Sequence, residues 1–138
     1  MQKVILDTNI VVSALIKKSY PHFIVYEHVL EGYVNLCLSK TLLDEYCDVL
    51  ARPKFFKIPN FKNNADIVLN RFIDMALFYE PKIYLDIIKD KDDNMLLELA
   101  DESNADFLIT GNYLDFNFTQ YKNTRVVAPR DFWEYFHP

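Results

Sequence analysis

Glycine is scarce in this 138-residue chain, which has only Gly32 and Gly111. A Walker A loop, a G-x-G-x-x-G dinucleotide turn and a Gly/Ser linker are therefore all excluded at once. Any phosphate chemistry must rest on something other than a glycine-rich cradle. Cysteine is equally sparse, with Cys37 and Cys47 ten positions apart. That spacing offers no C-x-x-C and no zinc-finger pattern with histidine. Two such thiols, expected to be buried or half-buried, fit a reduced compartment. Long apolar runs are missing: none approaches the roughly 18 residues that a spanning helix needs, and Asp7 interrupts the apolar start that a signal peptide requires. The expected location is cytoplasmic, away from membranes. Positive charge is in deficit, 15 Lys plus Arg against 20 Asp plus Glu, for a net charge of −5. At first sight this argues against a nucleic-acid partner, because phosphate binding is usually led by Lys and Arg.

Half the chain is apolar, enough to bury the core of one domain spanning residues 1–138. Val4, Ile5 and Leu6 form a short apolar run that stops at Asp7, Thr8 and Asn9, all residues that cap helices. Ile10, Val11, Ala14 and Leu15 follow at helical spacing, so the opening unit is a buried strand, a polar turn and a helix. Pro21 to Gly32 suggests a second helix, and Val34 to Leu38 a second strand. Ser39 and Thr41 precede an amphipathic helix carrying Leu42, Leu43, Tyr46, Cys47 and Leu50, which Pro53 ends. The pattern predicts a further helix from Ile67 to Phe78, a third strand around Lys82 to Ile88 and a helix from Asp92 to Ser103. Strands at Phe107 to Ile109 and Arg125 to Val127 come next, then a closing helix bearing Phe132, Trp133 and Phe136. Short all-apolar strands alternating with helices indicate an α/β sandwich around a parallel sheet.

In such sheets ligands bind beyond the carboxyl ends of the strands, so the polar residues after each strand matter most. They are Asp7, Thr8 and Asn9; Ser39 and then Glu45; Asp90, Asp92, Asp93 and Asn94; and Thr110, Gly111 and Asn112. Singly, each acid has a structural explanation: Asp7 and Asp90 suit helix caps, Asp92 suits a helix N-terminus, and Glu45 suits a solvated helix face. Together, uncompensated carboxylates at one sheet edge repel one another unless a cation neutralises them. Oxygen-only ligands select a hard ion such as Mg2+ or Mn2+. Such an ion serves phosphodiester hydrolysis without a Cys, His or Ser nucleophile. His22, His28 and His137 show no H-E-x-x-H spacing and are read as structural or surface residues. An EF-hand is excluded, since Met95 stands where that loop needs Gly and Asp101 where it needs Glu. A phosphoaspartyl phosphatase would want Asp-x-Asp after the first strand, where this chain has Asp7-Thr8-Asn9. A receiver-type fold lacks its paired acids at the same place.

Residues 49–65 hold Arg52, Lys54, Lys57 and Lys62 and no acid, interleaved with Phe55, Phe56 and Phe61. Basic residues mixed with aromatics can track a phosphate backbone and stack bases; the alternative is a plain helix connection whose phenylalanines pack inward and whose lysines are solvated. Residues 80–106, by contrast, hold nine acids against three lysines. The negative balance is thus polarised, and it suits an acidic metal pocket beside a basic approach.

Five stretches carry a family resemblance over essentially the whole chain. They are Val4-Ile5-Leu6-Asp7-Thr8-Asn9 with Ser13-Ala14-Leu15; Leu38-Ser39 leading to Glu45; Val49-Leu50-Ala51-Arg52-Pro53-Lys54-Phe55; Asp90-Lys91-Asp92-Asp93-Asn94 with Leu97-Glu98-Leu99-Ala100; and Ala105-Asp106-Phe107-Leu108-Ile109-Thr110-Gly111-Asn112. In this order and spacing they resemble the PIN-domain ribonucleases, in particular the small bacterial VapC-like toxins of toxin-antitoxin pairs. The resemblance implies a three-layer α/β/α sandwich with a five-stranded parallel sheet and a Mg2+- or Mn2+-dependent endoribonuclease. It places the family's acids on Asp7, Glu45 and Asp93, with Asp90 at a commonly acidic position. On that reading Asp7 and Asp93 are the main metal ligands, Glu45 orients or deprotonates water, and Asp90 supports the shell. Thr8, Asn9, Thr110 and Asn112 would position waters or phosphate, and Arg52 and Lys54 would contact RNA. The family's fourth acidic position falls on Asn112, whose amide cannot act as a base; this leaves three or four carboxylates and favours one ion. Asp115 offers itself as a substitute from the following turn. The resemblance also implies a cognate antitoxin and a homodimer. The alternative is a PIN-like module that binds RNA or protein without cleaving.

Overall fold

The computed structural model describes residues 1–88, 90–112, 116 and 119–137. Strand β1 (Lys3–Leu6) ends at Asp7 and leads into helix α1 (Thr8–Ile16). A short helix α2 (Tyr20–Phe23) continues as a π-helical turn (Ile24–Val29), so the expected second helix forms with a wider final segment. Gly32, with φ at 82°, then turns the chain into β2 (Asn35–Leu38). Helix α3 (Lys40–Leu50) starts where the Ser39 hydroxyl accepts the Leu42 amide at 3.1 Å. A 3-10 turn (Pro53–Phe55) links it to α4 (Phe61–Met75) and then to β3 (Leu77–Phe78). Helix α5 (Lys91–Ser103), β4 (Phe107–Ile109), β5 (Gln120–Tyr121), β6 (Thr124–Val127) and α6 (Pro129–Phe136) complete the order.

Among the described residues the sheet has six strands in the order β3-β2-β1-β4-β6-β5. Five run parallel, as expected, and β5 adds an antiparallel edge beside β6. The third strand is Leu77–Phe78, paired with Cys37 and Leu38, and not the expected segment 82–88. The cause lies in backbone partners: the Leu85 amide donates to Glu98, and those of Ile87 and Ile88 donate to Asn94. Side chains of α5 thus satisfy donors that a strand would have given to the sheet. The predicted helix to Phe78 accordingly ends at Met75.

Val4, Ile5, Leu6, Leu36, Leu38, Leu108 and Ile109 are buried to 2% exposure or less, which explains why these strands carry no polar alternation. Helices α1 to α4 form one group, α1 touching α2, α3 and α4, while α5 carries the chain back from β3 to β4. A return crossover of the same hand brings α5 to the other face. The chain therefore reverses direction in the sheet between β1 and β4, and the crevice beyond their carboxyl ends is the switch point. Among the described residues no helix is long and apolar enough to cross a membrane. Both cysteines are free; burial pushes the Cys37 thiol up to about 11, whereas Cys47, expected buried or half-buried, is exposed.

Candidate functional site

The switch point is built by two backbone bonds. The Asp7 amide donates to Ile109 O at 3.0 Å, and the Thr110 amide donates to Val127 O at 3.0 Å. These bonds fix Asp7 and Thr110 side by side at the ends of β1 and β4. The Thr110 hydroxyl donates to Asp7 Oδ2 at 2.7 Å and accepts the Asn112 amide at 3.0 Å. Asp7 is only 7% exposed. Burial is the largest influence on it and raises its carboxyl above the usual range, and the charge of Asp90 adds to that. The Thr110 donor and the Asn9 and Thr8 amides at the start of α1 oppose the rise, the amides without a capping hydrogen bond.

A second carboxylate is held in the same way. The Thr8 hydroxyl donates to Glu45 Oε2, linking the start of α1 to the middle of α3. Burial again comes first in raising the Glu45 carboxyl, opposed by Thr8 and reinforced by Asp92 and Asp7. The neighbouring Tyr46 is fully buried and donates its hydroxyl to Leu6 O, which ties α3 to the end of β1.

The third group stands at the start of α5. Asp90 is its N-cap, its carboxylate accepting the Asp92 amide at 2.9 Å, so the structural explanation given for Asp90 holds in part. Asp93 is 6% exposed in the first helical turn. Asn94 fixes this corner: its amide oxygen accepts from Ile87 and Ile88 while its nitrogen donates to Ile88 O at 2.6 Å and to Asp90 O at 3.2 Å.

The sequence-predicted residues thus fall into two sets. Asp7, Thr8, Glu45, Asp90 and Thr110 are joined by hydrogen bonds or by the field of one carboxylate on another. Asn9 and Asn112 are exposed nearby in sequence, and Asp93 is buried in the α5 corner. Thr8 and Thr110 spend their hydroxyl protons on Glu45 and Asp7, so they orient carboxylates. Arg52 and Lys54 are exposed beyond the end of α3, and Asp115 lies outside the described residues. Two contributors went unassigned in the sequence. Asp92 has a helix-terminus role in the sequence, yet its charge also bears on Glu45, and Asn94 belongs to the acidic stretch at the start of α5 without a role of its own there. The histidines keep the structural role expected of them: His28 and His137 face each other at 3.1 Å between α6 and the π-helical turn.

Among the described residues no three His, Cys, Asp or Glu side chains form a ready-made metal cage. The donor set nevertheless fits a hard cation. All its acids offer oxygen, and the charge of Asp90 raises the Asp7 carboxyl while those of Asp92 and Asp7 raise that of Glu45, a repulsion that a divalent ion with waters in its shell would relieve.

Comparisons with known proteins agree with this architecture. Residues 3–114 match the model of the PIN domain family. The chain is 28% identical to an uncharacterized protein of Methanocaldococcus jannaschii, over 97% of this chain and 91% of that one. It also superposes on a chain in the crystal structure of VapBC2 from Rickettsia felis bound to a DNA fragment from their promoter. That match has a TM-score of 0.59 and 19% identity and covers 92% of this chain and 98% of the other.

Proposed function

Because the chain belongs to the PIN domain family, we propose that it is a Mg2+- or Mn2+-dependent endoribonuclease, the toxin of a toxin-antitoxin pair, acting in the cytoplasm. The observation that carries this reading is the pair of hydroxyl-held, burial-perturbed carboxylates, Asp7 on Thr110 and Glu45 on Thr8, at the switch point. Asp7 and Asp93 hold the ion, with Asp90 in support. When bound, such an ion supplies Lewis acidity, neutralising charge that develops on phosphoryl oxygens and acidifying water. Glu45, whose carboxyl burial has raised, takes the proton from the attacking water. Thr8 and Thr110 keep these two carboxylates from rotating, which fixes the direction of attack. Asn9 and Asn112 hydrogen-bond waters or the scissile phosphate, and the exposed Arg52 and Lys54 hold the RNA backbone. The products are a 5′-phosphate and a 3′-hydroxyl. The likeness to VapBC2 supports an antitoxin as partner, and a homodimer is the proposed assembly.

The presence of Asn112 where the family carries an acid favours a second reading, a module that binds RNA or protein without cleaving. Two measurements separate them. Mn2+ at a hundred times its dissociation constant is expected to stabilise the protein by about 2.7 kcal/mol in a thermal melt. Purified protein is expected to cleave RNA only with Mg2+ or Mn2+, and Asp7→Asn to abolish cleavage. Metal-dependent cleavage surviving in Asp7→Asn overturns the assignment, whereas RNA binding with no cleavage and no Mn2+ shift selects the binding module.

A further inference from the structure

Tyr46 is a buried titratable side chain that the mechanism above does not use. It follows Glu45 on α3 and is 0% exposed. A buried phenol needs a partner for its hydroxyl, and here the partner is Leu6 O at the end of β1. That carbonyl belongs to the same peptide unit as the Asp7 amide, which donates to Ile109 O at 3.0 Å. The planar unit leading into Asp7 is thus held at both ends, by α3 through its oxygen and by β4 through its nitrogen. Any rotation of that plane, which would swing the Asp7 side chain, breaks one bond or both.

The same helix grips the chain again on the other side of Asp7, where the Thr8 hydroxyl donates to Glu45 Oε2. Leu6, Asp7 and Thr8 are consecutive, as are Glu45 and Tyr46. Two side-chain hydrogen bonds therefore close a ring, with Asp7 between the two crossings and Glu45 at one of them. The Tyr46 ring packs near Phe72 of α4, also fully buried, with centres 6.2 Å apart, so core packing aims the hydroxyl. Burial foremost, and then the charges of Asp7 and Glu45, hold the phenol well above its ordinary range. It stays a hydrogen-bond donor wherever those carboxylates are ionised.

We propose that Tyr46 is a positioning residue for metal-dependent cleavage: without touching ion or RNA, its hydroxyl sets the placement of Asp7 relative to Glu45. The inference rests on the ribonuclease reading above and extends that site by a residue that carries none of its charge. A buried hydroxyl of the same kind stands elsewhere in the sheet for comparison. Thr124, 1% exposed, donates to Ala105 O at 2.6 Å. That bond joins the start of β6 to the residues leading into β4, at the amino ends of these parallel strands. It lies at the opposite edge of the sheet from Asp7 and Thr110, and its work is cohesion alone.

The test compares Tyr46→Phe, which removes one oxygen and keeps the ring, with Thr124→Val, which removes a hydroxyl and keeps the branched shape. Each variant takes a donor from a buried carbonyl, and both are expected to melt a few degrees below the parent. Only Tyr46→Phe is expected to bind Mn2+ more weakly in a calorimetric titration, by about 10-fold, the lower end of the range for groups that orient ligands. With Mn2+ saturating, its kcat for RNA cleavage should fall by a similar factor at unchanged KM, since RNA cannot reach Tyr46. In the metal-free protein the Asp7 amide should exchange its hydrogen faster in Tyr46→Phe and at the parent's rate in Thr124→Val. Parental Mn2+ affinity and parental Asp7 exchange in Tyr46→Phe, when the parent binds Mn2+ and cleaves RNA, overturn the positioning role and spare the ribonuclease reading. Equal weakening of Mn2+ binding in Thr124→Val marks a general loosening and overturns the positioning role as well. A parent protein that neither binds Mn2+ nor cleaves RNA overturns both together.

Discussion

The molecule buries titratable groups in two regions by opposite means. At the carboxyl ends of β1 and β4, Asp7 and Glu45 each receive a threonine hydroxyl, yet each is also pushed toward protonation by burial and by its acidic neighbours. Between the π-helical turn and α6, His28 is 5% exposed in an aromatic cage of Phe132, Trp133 and Phe136. One of its nitrogens meets His137 at 3.1 Å, while Nδ1 has no partner. The rings of His28 and His137 are nearly parallel, 11° apart, with centres 5.2 Å apart. That spacing fits a head-on N–H···N bond. The acidic region holds charges in place at the expense of stability, whereas the histidine region keeps an imidazole neutral for the sake of packing. The first keeps acids together against their mutual repulsion, and the second is organised for cohesion.

Changes in the two regions should therefore separate activity from stability. The largest effect is expected from Asp7→Asn: RNA cleavage falls to background, while the metal-free protein melts at the same temperature or higher, because a charge that burial opposes has gone. A melting temperature clearly below the parent's would break the contrast. Phe132→Ala, in the other region, is expected to cost about 3–5 kcal/mol in urea unfolding, with cleavage per folded molecule unchanged. Thr110→Val is expected to lower cleavage or Mn2+ affinity by about 10–100-fold, as for other groups that orient ligands. Thr110→Ser, which keeps the hydroxyl, should recover most of it. The smallest effect concerns acidity. Burial, then His137, holds the His28 imidazole below its ordinary range, against a smaller pull upward from Glu27. The folded state thus prefers neutral His28, so its contribution is present above about pH 6.5 and is lost as the pH falls through the lower folded value. Melting curves between pH 8 and pH 5 should show the parent losing more stability than His28→Phe.

The opening unit of strand, Asp7-Thr8-Asn9 and helix was legible because its signals are local: an apolar run followed at once by polar capping residues. The same holds for Ser39, which caps α3 by its own side chain, and for β4 with Thr110 at its end. The third strand was not legible. Ile83, Leu85 and Ile87 alternate as a strand would, but Ile83 and Ile87 are exposed, and the backbone between them answers to Glu98 and Asn94, acceptors that no local pattern announces. The actual β3 is two exposed residues long and exists because β2 offers an edge. The part of Asp92 beside Glu45 was hidden for the same reason, since the two approach only once α3 and α5 have packed together.

The bond from Thr110 to Asp7 spans 103 positions of sequence. All the acids assigned to the site precede residue 94, whereas β4, on which the Asp7 corner leans, follows it. A polypeptide emerging from the ribosome N-terminus first thus displays every carboxylate well before the crevice can close. The crevice is assembled only after β4 has emerged, so a nascent or prematurely terminated chain carries the acids without the pocket.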